Sequence, residues 1–110
     1  TAAARRRQME ALAERMEKVS PGNTPLIVAG DFNDWRNRAD NLIAERLGMV
    51  EVFGGLDGQP ARSFPATLPV FRLDRIYVRG FAIERSEVHF GRPWSKISDH
   101  AALSAHIAVE

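Results

Sequence analysis

The chain is 110 residues long, which allows one domain with a modest core and leaves little room for a second. Its 15 basic and 14 acidic residues nearly cancel, so a general polyanion-binding field is not indicated, and any nucleic-acid contact has to come from local placement of arginines. There is no cysteine, which rules out disulfides and thiolate metal sites, and no apolar run approaches the ~18 residues of a membrane span.

The first element is a predicted amphipathic helix over Ala2 to Val19. Its residues are good helix formers, and Met9, Leu12, Ala13, Met16 and Val19 recur at three- and four-residue steps. Arg5, Arg6 and Arg7 read either as a nucleic-acid patch or as a solvated face with acids one turn away. Ser20 to Thr24 stops the helix and turns the chain into Pro25 to Ala29, an unbroken apolar run that suits a central strand covered on both faces. Gly30 then admits a sharp turn. Asp31 and Asn33 follow one residue apart, so in extended geometry both side chains point the same way. They serve either a turn or a site. A carboxylate that can hold a hard cation or orient water, beside an amide that can donate to a phosphate oxygen, suits phosphate chemistry. Trp35 reads as packing or as a stacking surface.

Asn37 or Asp34 is expected to cap a second helix with the stripe Ala39, Leu42, Ile43, Ala44 and Leu47, ended by Gly48. A short strand over Met49 to Phe53 follows. Gly54 to Val70 has no periodicity and is expected to be a long loop, with Arg62 and Phe64 as substrate contacts or as parts of a surface excursion. Phe71 to Gly80 and Phe81 to Phe90 are expected to pair with each other as antiparallel strands joined at Arg79-Gly80. Asp74 shares a face with Ile76 and Val78, where an acid needs a partner, so it belongs to a structural hydrogen bond or to a site. Gly91 to Ile97 is a loop in which Trp94 and Lys96 either touch substrate or cover the sheet edge. Ser98-Asp99-His100 introduces a last apolar segment, Ala101 to Val109; His89 and His106 have no companion ligands in the sequence.

Gly30-Asp31-Phe32-Asn33, Arg72-Leu73-Asp74-Arg75-Ile76 and Ser98-Asp99-His100, in this order and spacing, resemble the C-terminal motifs of the endonuclease/exonuclease/phosphatase superfamily, the metal-dependent phosphoesterases related to DNase I and the abasic-site endonucleases. The segment Ser63-Phe64-Pro65-Ala66 and Leu68-Pro69 before the Asp74 strand resembles a bacterial branch. The resemblance implies an α/β fold, half of a four-layered sandwich: one mostly antiparallel sheet with two helices on one face. Residues 1–110 would then be the C-terminal part of a single domain whose N-terminal half lies elsewhere.

The resemblance also implies roles. Asp31 orients or deprotonates the attacking water, Asn33 donates to the phosphate, and Asp74 holds His100, whose imidazolium stabilises developing charge. Asp99 and Asp31 would ligate Mg2+ or Mn2+ in the intact domain, while this chain alone, lacking the remaining ligands, is expected to bind none and to be inactive. Arg62, Phe64 and Trp94 join Asn33 as substrate contacts. The expected partners are a phosphoester, in a nucleic acid or a phospholipid head group, and, over the sheet face bearing Ile27, Ile76 and Val78, the N-terminal half or a second copy as a homodimer. A non-catalytic binding or assembly module is the alternative function, and a cytoplasmic location is favoured.

Overall fold

A computed structural model of the chain describes residues 1–32, 38–55 and 58–110. It is α/β, with two helices and two antiparallel sheets. Helix α1 spans Ala2–Val19 and α2 spans Arg38–Leu47; β1 is Leu26–Asp31, β2 Val50–Glu51, β3 Asp74–Arg79, β4 Phe81–His89 and β5 Ala102–Val109. The capping residues proposed for α2, Asn37 and Asp34, lie outside the described residues, as does Trp35.

The Thr1 hydroxyl accepts from Ala4 N at 3.1 Å and starts α1. Met9 and Ala13 of its stripe are buried, with Leu12 and Met16 packed partly against them, whereas Val19 is left exposed. Arg6 meets Glu10 at 3.1 Å one turn on, the solvated face that helical spacing allows. Gly48 follows α2 at a φ of 64°, a conformation that a side chain would strain. The core under both helices joins Met9, Ala13, Leu47 and Met49 to Phe32 and Tyr77, whose rings meet edge to face at 5.5 Å.

The strands divide between two sheets rather than forming the expected one. One has the order β1-β3-β2; the other is β4-β5. The expected pairing of residues 71–80 with 81–90 does not occur, because β3 pairs with β1 and β2 while β4 pairs with β5. The physical reason is the link: only Gly80 separates β3 from β4, at a φ of 83°, and a hairpin needs about two loop residues to reverse the chain. β1 is likewise an edge strand here and β3 the central one. Leu26 and Val28 of β1 face the helices, but Ile27, on the opposite face, is 50% exposed, so only one face of β1 is covered. On that open face Val78 is nevertheless fully buried and Ile76 is half-buried.

Arg79, at the end of β3, ties the helical layer to the sheet. Its guanidinium donates to the carbonyl of Leu47, the last residue of α2, at 2.8 Å and to that of Ser20, just past α1, at 2.6 Å. Nε donates to the Thr24 carbonyl at 2.9 Å. One fixed fork thus satisfies carbonyls at the C-terminal ends of both helices, where a positive charge is favourable. Arg79→Ala is expected to lower stability by about 3 kcal/mol in urea unfolding, with Arg79→Lys recovering only part; equal stability of all three proteins would refute this role.

Candidate active site

The β1–β3 register runs from Leu26 opposite Arg79 to Asp31 opposite Asp74. Directly opposed residues in an antiparallel pair share a face, so the two carboxylates meet at one end of the sheet, on the face turned away from the helices. Like charges so placed repel each other. His100 offsets the repulsion: Nδ1 lies 2.6 Å from Asp74 Oδ2 and Nε2 lies 3.8 Å from Asp31 Oδ2. The ring is a little over a quarter exposed, so the contact is neither dry nor freely hydrated.

A hydrogen bond with Asp74 is the largest cause of a raised His100 pKa; burial opposes it, and the fields of Asp74, Asp31 and Asp99 add to it. His100 is therefore more readily cationic than an ordinary histidine, with Nδ1–H directed at Asp74 and Nε2 turned toward Asp31. That leaves a positive edge beside a carboxylate, suited to stabilising negative charge on a bound group.

The loop before β3 holds this geometry. Ser63 is fully buried; its hydroxyl accepts from Asp74 N at 3.1 Å, and its carbonyl accepts from Ala101 N at 2.6 Å. One residue thus fixes both chain segments that carry the Asp74–His100 pair. Ala66 N donates to the Asp99 carbonyl at 2.7 Å, and Ser98 Oγ accepts from His100 N at 3.1 Å, so the Ser98-Asp99-His100 turn is held from both sides. Nothing in the sequence pattern singled out Ser63, since a serine in an aperiodic stretch has no spacing to betray it; the sole signal was its place in Ser63-Phe64-Pro65-Ala66.

Asp31, Asp74 and His100 are thus brought together, while Asn33 lies outside the described residues. Asp99 is exposed and stands outside the group, adding its field to His100. The Phe64 ring lies 5.2 Å from the His100 ring and forms the site's apolar wall. Arg62 is exposed next to Ser63, and Trp94 lies against His89 at 5.1 Å. Glu51 is a buried carboxylate with a structural role, since it accepts from the backbone N of Phe53, Gly54 and Ile76.

Ligand atoms of Asp31, Asp74 and His100 lie within 4.8 Å of one another. Asp74 is committed to the ring, so within this group the oxygens suited to a hard cation are those of Asp31. In kind they fit Mg2+ or Mn2+; in number they fall short of an octahedral shell.

A model of the endonuclease/exonuclease/phosphatase family matches residues 2–100. The chain is 43% identical over 103 residues to the "Uncharacterized protein YbhP" of Escherichia coli (strain K12), covering 94% of this chain and 40% of that protein. It is 37% identical over 89 residues to the "UPF0294 protein VV2535" of Vibrio vulnificus (strain YJ016), covering 78% and 28%. The fold matches the crystal structure of the endonuclease/exonuclease/phosphatase from Bacteroides vulgatus with a TM-score of 0.77 at 21% identity, over all of this chain and 46% of that one. The chain therefore spans less than half the length of these relatives.

Because the folded His100 pKa lies above the ordinary 6.5, the stabilisation from its pairing is complete below that value and is lost as pH rises through the folded one. Asp74→Asn is expected to lower the His100 pKa in an NMR titration; an unchanged value would mean that Asp74 does not hold the ring. Ser63→Ala should cost about 1–3 kcal/mol in denaturant unfolding through the lost acceptor for Asp74 N, and a neutral result would refute its role as the tie between the two segments.

Proposed function

Because the chain belongs to the endonuclease/exonuclease/phosphatase family, we propose that it forms part of a divalent-metal-dependent phosphoesterase, which hydrolyses a phosphodiester or phosphomonoester by in-line attack of water. The observation that carries this reading is the His100 ring lying between the opposed carboxylates of Asp31 and Asp74.

In this reading Asp74 holds His100 in one tautomer, with Nδ1 protonated. Nε2–H of the imidazolium faces the bound phosphate and stabilises the negative charge that builds on its oxygens. Asp31, next to that edge, orients the attacking water and accepts its proton. Asn33 donates to a phosphoryl oxygen without repelling it. Asp31 and Asp99 would hold the Mg2+ or Mn2+ ion, which when bound supplies counter-charge to the phosphate and acidifies water. Phe64 walls the site, and Arg62 and Trp94 contact the rest of the substrate.

Two carboxylates are too few for tight binding of an ion that sheds water reluctantly, so the 110-residue chain alone is inactive in this reading. The remaining ligands come from the rest of the family domain, which also covers the face carrying Ile27; a homodimer across that face finds no support.

In the full-length protein, His100→Ala or Asp31→Ala should each lower kcat by roughly 10²–10⁴-fold on a phosphoester panel with Mg2+, and EDTA should abolish hydrolysis until the metal is restored. Hydrolysis that survives chelation, or either substitution at full rate, would overturn the mechanism. The isolated chain should show no micromolar Mg2+ affinity by calorimetry, and a clear micromolar isotherm would mean that it contains a complete ligand set.

A further inference from the structure

Nine large apolar side chains are conspicuously exposed among the described residues, and six of them lie on two short segments beside the site. Leu68 (70% exposed), Val70 and Phe71 are on one; Phe90, Trp94 and Ile97 (75% exposed) are on or around a 3-10 turn, Trp94–Lys96, on the other. Backbone bonds join the segments: Ala66 N donates to the Asp99 carbonyl and Gly91 N to the Ala66 carbonyl, both at 2.7 Å. The Phe64 ring, 6.5 Å from Phe71 and 5.2 Å from His100, links this rim to the catalytic imidazole.

The charge on the rim is biased to one sign, with the exposed Asp99 at its edge as the acidic exception. Arg62, Arg92 and Lys96 are exposed, and there is no Asp or Glu from residue 58 to 73 or from 88 to 98. In a chain whose charges otherwise nearly cancel, this is a local bias. Aliphatic side chains at 70% and 75% exposure are suited neither to stacking on bases nor to contacting phosphates, and three cations are few for a polyanion. Apolar tips with basic neighbours and an amphipathic tryptophan are instead the pattern of a surface that enters the boundary between head groups and acyl chains.

We propose that the segments around Leu68 and Ile97 form a membrane-contact rim, which seats the protein on an anionic phospholipid bilayer with the His100 site opening at the head-group level. The inference rests on the phosphoesterase reading for its substrate, which it narrows to a phosphoester presented by a lipid surface. The contact itself is independent of catalysis.

The test uses the full-length protein and vesicles of phosphatidylcholine with or without phosphatidylglycerol. Co-sedimentation with the anionic vesicles is expected, and the double variant Leu68→Asp/Ile97→Asp should lower the partition coefficient by roughly tenfold or more, because two apolar tips no longer enter the bilayer. Circular dichroism and hydrolysis of a water-soluble phosphodiester should stay unchanged. Arg92→Glu/Lys96→Glu should weaken binding only where phosphatidylglycerol is present. Brominated lipid should quench tryptophan fluorescence of the full-length protein, and Trp94→Phe should remove the part of that quenching due to the rim. Absence of vesicle binding, a partition unmoved by both double variants, quenching unchanged by Trp94→Phe, or loss of single-stranded oligonucleotide binding instead would each overturn the proposal. Vesicle binding without hydrolysis of any phosphoester would leave the rim standing and remove the phosphoesterase reading, so the two failures are distinguishable.

Discussion

Two carboxylates facing each other across an antiparallel pair are the constraint on which the rest of this site depends. The register that buries Val28 and Tyr77 on the helical side also places Asp31 opposite Asp74 on the other side. Period-two alternation allows no escape, since a slip of one residue would turn every core side chain of β1 outward. The repulsion is instead met by charge. His100 comes from a segment remote in sequence, approaches both acids, and is drawn toward its cationic form by that position. In the proposed function, stability and chemistry share one cause: the ring that relieves the carboxylate pair is the ring that would stabilise a phosphate.

Such a ring must be held in place, and the holding is done largely by backbone and one hydroxyl. Ser63 accepts from Asp74 N with its side chain and from Ala101 N with its carbonyl, while Ala66 fastens Asp99. The loop before β3 thus serves as a clasp between the two segments that bear Asp74 and His100. The second role proposed for it follows from its path. Having reached the site, it must leave it again, and the side chains on that excursion, Leu68 to Phe71, are presented to the surroundings next to the exposed turn around Trp94 and Ile97. Clasp and rim are two faces of one loop.

The opposite end of β3 is organised with comparable economy. Arg79 stands where α1, α2 and the approach to β1 converge, and its planar fork gives each of their carbonyls a donor. β3 is therefore the strand that positions everything else: Asp74 beside His100, Tyr77 in the core, and Arg79 under the helix termini.

Much of this was legible in the amino-acid sequence. Periodicity located α1 within its observed bounds, Gly48 marked the end of α2, and three short motifs pointed to one family and brought Asp31, Asp74 and His100 forward as partners. Those are local signals, written in spacing and residue type. What the sequence left undetermined is pairing and exposure. Two neighbouring strands looked like a hairpin, and only the single-residue link at Gly80 sends them into different sheets. An unbroken apolar run looked like a strand covered on both faces, yet β1 lies at an edge with Ile27 half in solvent. Ser63 carried no periodic mark, because its role consists of hydrogen bonds to residues far along the chain. The sequence by itself determined which groups are available for chemistry; tertiary structure alone decided which of them meet, since long-range pairing depends on loop geometry and packing that no local pattern records.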